Sequence, residues 1–393
     1  MLRNCILLGL LLASLLGFAQ TSKGDKLYNQ GKDYLQKKET KKALQSFLNA
    51  RNEYVKEENF HRALTCTQNV VMYYQDTNNG EAAEKILLET IAAIPQKTTE
   101  QLSTHASLQD NLGYTYANVL NHPEKALTCY TESIRLYELI NQANTTPYAF
   151  ELVNRATTYF SLNNFQSASE DMLRAIPIYE KDKETTPSDL ARKYRDLGRM
   201  YSELSRDAQA LEWYQKARVT ITDSDDQTLE AMLLNDMGGA YMKLNQLTLA
   251  LKKYNEALTL NEKVFGKDAS HYAMTLLNIA TLNKKTGDLD QALKEYQQVL
   301  LIYQKKPPED ISNVIDAMTE ISSLLDELGM YQQQQEVLSQ AQNLAITAFG
   351  ANSLQEADVY IQQAIIAFNH DQFDQSLNYN FKALDVMQQN NYP

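Results

Sequence analysis

The chain is poor in helix breakers and poor in the residues that do chemistry. Its 393 residues include only 13 Gly and 8 Pro, and most of the Pro mark boundaries between longer segments. There is no strand-like alternation of apolar and polar residues, and no linker of domain-separating length. Together these exclude a β-rich fold and a string of loosely tethered domains. Histidine is scarce: His61, His105, His122, His271 and His370 are the five, and no two lie within a helical turn. A local two-His metal pair is therefore excluded. The chain has no Gly-x-Ser-x-Gly elbow, no phosphate-cradling Gly-rich loop and no Cys-x-x-Cys. With no catalytic constellation, no metal site and no cofactor motif, the expectation is a protein that is not an enzyme. An enzyme with an unrecognised site, such as Cys66 or Cys129 with a distant His, is the alternative.

Basic residues are in the minority. Lys and Arg number 37 against 49 Asp and Glu, a formal net charge of −12. Nucleic acid and anionic membranes attract a basic field, so neither is expected as a partner. Cysteine is limited to Cys5, Cys66 and Cys129. Cys66 and Cys129 read as small buried apolar residues, with a disulfide as the alternative in an oxidising compartment.

What the chain has in abundance is rhythm. A small or apolar anchor recurs at Gly31, Val71, Gly113, Ala156, Gly198, Gly238, Ala280, Ser322 and Ala364, at intervals of 40 to 43 residues. The clearest copy is Gly198, Tyr201, Ala210, Tyr214, Ala217. Spacings of three and four place each subset on one face of a helix. The polar Ser205-Arg206-Asp207 between the subsets is a turn. Each unit is thus a helix-turn-helix in which a small residue lets two backbones approach and an aromatic fills the space beside it. The set recurs as Gly31, Tyr34, Ala43, Phe47, Ala50 and as Gly238, Tyr241, Ala250, Tyr254, Ala257. The second copy (Val71, Tyr74, Ala83, Leu87) and the last two are degenerate. A period of this size predicts a solenoid, in which each repeat packs on its neighbours; a single core would stop growing below this chain length. Thr146-Pro147 and Thr186-Pro187 read as an N-cap followed by Pro at the first helical position, and Lys306-Pro307-Pro308 as another boundary.

These residues resemble the tetratricopeptide repeat family, whose repeat carries Gly/Ala, Tyr, Ala, Phe/Tyr and Ala at these offsets. The longer period and the text around Ala257-Leu258-Thr259-Leu260-Asn261 and Phe265-Gly266-Lys267-Asp268 resemble the kinesin light chain subtype. The resemblance covers roughly residues 25–389. It implies an all-α, right-handed superhelical solenoid of about nine repeats, near 25–57, 60–95, 105–140, 148–182, 190–222, 229–265, 271–305, 313–349 and 356–389. It also implies a scaffold or adaptor that binds a protein or peptide in a concave groove lined by the first helix of each repeat. A sensory or regulatory repeat region acting on a separate effector is the other reading.

The register locates that groove. Two residues before each anchor stand Asn29, Asn69, Asn111, Asn154, Asp196, Asp236, Asn278, Glu320 and Gln362, all with a carbonyl or carboxylate oxygen. Such a ladder suits an extended peptide backbone; the alternative is bridging between neighbouring helices. Positions −6, −3, +1 and +4 share a face and give Arg192, Arg195, Arg199 and Ser202 in the fifth repeat, a basic stripe suited to carboxylates. Lys243 and Lys284 add charge, and Phe150, Val153, Thr157 and Phe160 give an apolar stripe in the fourth repeat. The candidate groove residues are Asn111, Phe150, Asn154, Arg192, Arg195, Arg199, Asn235, Asp236, Lys243, Asn278 and Lys284, and the expected ligand is acidic and partly apolar. The alternative is that these Arg pair with nearby acids such as Asp236.

Two end features complete the reading. Residues 1–19 combine Arg3, an apolar run from Cys5 to Leu16 and small residues at Gly17 and Ala19. This is the pattern of a cleaved signal peptide, with Gln20 first in the mature chain, and it predicts an exported bacterial protein, periplasmic or extracellular. An uncleaved anchor is the alternative, although the run is short for a membrane span. At the other end, no capping helix follows the ninth repeat. Leu377, Phe381, Leu384 and Met387 are therefore expected to stay partly uncovered, available for self-association or for a partner.

Overall fold

Eighteen α-helices and no strand make up the described residues, 22–221, 226–305 and 311–390, of the computed structural model. The signal-like segment with Cys5, and Lys306-Pro307-Pro308, lie outside them. The helices form two compact units that divide between Thr185 and Thr186. The first unit holds α1 (Lys23–Gln36), α2 (Thr40–Lys56), α3 (Phe60–Asp76), α4 (Gly80–Ala93), α5 (Thr99–Asn118), α6 (Pro123–Leu139), α7 (Thr146–Ser161) and α8 (Phe165–Tyr179). The second holds α9 (Pro187–Glu203), α10 (Asp207–Thr220), α11 (Gln227–Lys243), α12 (Leu247–Phe265), α13 (Ser270–Thr286), α14 (Leu289–Gln304), α15 (Ile311–Glu327), α16 (Tyr331–Phe349), α17 (Leu354–Asn369) and α18 (Phe373–Gln389). Each odd-numbered helix (an A helix) packs on the even-numbered helix that follows it (a B helix), giving nine pairs, and each pair stacks on the next within its unit.

The anchors sit where A and B helices cross. A Cβ on Gly198 would lie 2.5 Å from the Tyr214 ring, and one on Gly238 2.5 Å from the Tyr254 ring. Gly31 faces Phe47 and Gly113 faces Tyr130 in the same way. These four aromatics are buried. Where the anchor is larger the partner is smaller: buried Val71 and Leu87 share one core cluster, and buried Ala156 stands sixteen residues before buried Met172. The second repeat is therefore a full helix pair whose two helices have exchanged volume across the crossing.

The turn inside each pair is set by one left-handed residue, seven or eight positions after the anchor. These are Lys38, Asn78, Asn121, Asn163, Ser205, Asn245, Gly287, Gly329 and Asp371, with φ between 52° and 87°. Seven of the nine are Asn, Asp or Gly, the types that adopt this backbone at least cost. In all nine pairs the next N–H returns to the carbonyl three residues after the anchor, as from Asn79 to Tyr74 at 2.7 Å and Arg206 to Tyr201 at 2.9 Å. That closes the helix with a Schellman-type bond. The A helices begin on side-chain caps at Ser22, Asn59, Thr98, Thr145, Thr186, Asp226 and Ser353. Thr186-Pro187 behaves as its sequence suggests. At Thr146-Pro147 the cap is one residue earlier, because Thr145 Oγ1 receives the Tyr148 N–H while Thr146 Oγ1 donates to Asp182.

Cys66 and Cys129 are buried and unpaired with each other. Burial pushes both thiols up to about 12, so neither supplies a thiolate at neutral pH. Among the described residues no cluster of three or more His, Cys, Asp or Glu could hold a metal ion, and no helix is long and apolar enough to cross a membrane.

Candidate functional site

Helical spacing brings five of the sequence-selected residues to one place. In the second unit, Arg199 of α9, Asn235, Asp236 and Lys243 of α11, and Asn278 of α13 line one cleft of about 220 Å³. Ser202, Gly239 and Met242, at the +4 and +1 positions of the same register, share its wall with Glu203, Tyr214, Ala240 and Tyr254. Three consecutive A helices therefore contribute to it, as stacking with a fixed register requires.

Within the cleft, polar groups join one A helix to the next. Asn278 Nδ2 donates to Asn235 Oδ1 at 2.9 Å, and Arg195 Nε donates to Asp236 Oδ2 at 2.6 Å. Asn154 Nδ2 donates to Asp110 Oδ1 at 3.0 Å in the first unit. In all three cases position −2 of one repeat meets position −3 of the repeat before it. The polar ladder thus works at these rungs as a tie between A helices. Other rungs differ. Asn111 donates to the Ser107 carbonyl, Glu320 lies within 3.6 Å of Lys284, and the Gln362 Nε2 is buried with no hydrogen-bond partner. Asn29 lines a separate cleft with Tyr28, Tyr54 and Arg62.

The basic stripe is partly neutralised. Arg192 pairs with Asp226 at 2.8 Å and Arg195 with Asp236 at 2.6 Å. Lys284 is largely buried between α13 and α15, where it donates to Ser323 Oγ at 2.7 Å and faces Glu327 at 3.5 Å. Arg199 and Lys243 are exposed at the cleft, where Arg199 lies near the Asp196 and Asp236 carboxyls and Lys243 Nζ donates to Ser202 Oγ at 3.0 Å. Burial raises the Asp236 and Asp196 carboxyls, and the neighbouring guanidiniums of Arg195 and Arg199 hold back part of each rise. Asn111, Phe150 and Asn154 belong to the first unit, where Phe150 is exposed. Met72 and Tyr114, both at +1, are large exposed apolar residues of the same unit, and Met274 at −6 is one in the second. The sequence selection passed over Met72 and Tyr114, although the register reaches both.

A stack of short antiparallel helix pairs with polar ties between successive A helices defines a helical repeat protein. Residues 229–305 match the tetratricopeptide repeat family model, so the sixth and seventh pairs are tetratricopeptide repeats, and the same pairing carries the other seven. The matched model is that of a repeat and not of a catalytic domain. No curated protein matches the chain in sequence. Among solved structures, the apo form of the quorum sensor NprR from B. thuringiensis is 17% identical, with a TM-score of 0.61 over 93% of this chain and 97% of that one. Aspartyl phosphate phosphatase F from Bacillus subtilis is 13% identical, with a TM-score of 0.56 over 88% and 94%. The apo form of RapI is 14% identical, with a TM-score of 0.57 over 73% and 99%. At these identities the likeness is one of fold.

Proposed function

We propose that the protein is a non-catalytic scaffold that holds a peptide or protein segment against its A helices. The carrying observation is the convergence of Arg199, Asn235, Asp236, Lys243 and Asn278 on one cleft. Exposed Arg199 and Lys243 favour a carboxylate-bearing ligand, and the exposed apolar Met274 at an A-helix position of the same unit favours a partly apolar one. The affinity expected of such a groove is micromolar, which corresponds to about −8 kcal/mol. Peptides selected from a random library on the intact chain are expected to be enriched in Asp and Glu. The paired charge reversal Arg199→Glu and Lys243→Glu should weaken them about tenfold or more. Selected peptides without acidic bias, or binding that survives the reversal, would sink this reading.

A second reading is a sensory repeat region that acts on a separate effector. Its support is the fold shared with a quorum sensor along nearly the whole of both chains. We also propose that the protein is exported, on the strength of residues 1–19 alone.

A further inference from the structure

We infer that the last two helix pairs carry a second binding site, a carboxamide-lined cleft for an uncharged, extended peptide segment. The cleft lies between α16, α17 and α18 and encloses about 350 Å³. Gln334, Gln335, Gln342, Gln363, Gln372 and Gln375 line it, and none of its lining residues is charged. Leu338 and Ile366 give it an apolar floor.

Two of these amides have hydrogen-bonding capacity unused. Gln334 is 4% exposed, yet its side chain makes no hydrogen bond to the protein among the described residues. The Gln363 Oε1 is buried without a partner, although Gln363 Nε2 donates to Gln342 Oε1 at 3.4 Å. Gln342 is held in turn by the Tyr360 hydroxyl at 3.2 Å and by Glu356 at 3.4 Å. One wall is therefore ordered, while the Gln334 side-chain amide and the Gln363 Oε1 have no partner among the described residues. A buried acceptor without a donor is costly, and the group that answers both the donor and the acceptor of a carboxamide is another amide. An extended peptide offers N–H and C=O in alternation, and Asn or Gln side chains offer both together. A charged segment would find no counter-charge in this wall.

This site is separate from the A-helix groove. Gln363, Ile366 and Ala367 stand at −1, +2 and +3 from the anchor Ala364, on the side of α17 opposite positions −3, +1 and +4. It can therefore fail or hold independently of the groove reading.

The probe is a fluorescein-labelled, acetylated and amidated Ser-Gln-Asn-Gln-Asn-Ser peptide, titrated against the full chain. The expected result is saturable binding that Gln334→Leu weakens about tenfold or more. The rim substitution Gln375→Ala, at an exposed position that leaves folding intact, should weaken it less but measurably. Arg199→Glu should leave it unchanged. The side-chain amide NMR signals of Gln334 and Gln363 should shift during the titration. Absence of binding at millimolar peptide, unmoved amide signals, equal binding to Gln334→Leu, or equal competition by an acidic peptide of the same length would each overturn the proposal.

Discussion

Glu151 on α7 is 2% exposed, and its Oε2 has no hydrogen-bond partner. Burial, with the nearby Asp110 carboxyl as second cause, pushes its acid up to about 9, while the Ser133 hydroxyl pulls it down a little. Asp110, itself raised by burial, is steadied by the Asn154 amide. The folded chain thus keeps a proton that the unfolded chain releases near the ordinary value of 4.5. Between those two values the native state binds more protons, so stability falls as pH rises through that window. The loss is on the order of a few kcal/mol, since each unit is worth about 1.4 kcal/mol. Glu151→Gln removes the ionisation at nearly constant shape. The melting temperature of the variant should fall much less than that of the parent from about pH 5 to about pH 9; parallel slopes would refute the assignment. No local signal reveals this acid. It lies five residues before the anchor Ala156, and nothing in a single helix tells a buried acid from a solvated one.

At the scale of helices, the crossing of A on B is a matter of shared volume. Gly198 admits the Tyr214 ring, and Val71 with Leu87 makes the same crossing with the volume moved to the other side. Gly198→Val forces the ring to move and should cost about 1–3 kcal/mol. Tyr214→Leu removes the obstacle, so the double variant should recover part of the loss. The expected coupling in a denaturant double-mutant cycle is about 0.5–3 kcal/mol, and strictly additive losses would count against the packing argument. The Gly–Tyr crossings were legible because the same residue types recur in step. The second repeat read as degenerate because identity changed at both positions while summed volume was kept. The left-handed turn residues were legible in principle, since Asn, Asp or Gly stands there in seven of nine pairs. On α18, Leu377, Phe381 and Leu384 are exposed, and Met387 is half-buried.

At the scale of the molecule, the nine pairs of the described residues supply two units built by the same neighbour-to-neighbour packing. The proposal of export rests on the first nineteen residues and has a direct measurement. Terminal sequencing of the protein isolated from its native cell should read from Gln20, in an envelope or medium fraction; a terminus at Met1 or Leu2 in the cell interior would end the proposal. The sequence alone determined the all-α class, the period, the number of repeats and which residues share the A-helix face. Those follow from interactions three to seventeen residues apart, which periodicity records directly. Only the tertiary structure decided which face residues are tied to a neighbouring helix. Asn154 meets Asp110, Asp236 meets Arg195 and Asn278 meets Asn235 across 41 to 44 residues of chain, and Lys284 is enclosed between α13 and α15. Those pairings depend on how one repeat seats on the next, a three-dimensional register that residue spacing within one repeat does not record.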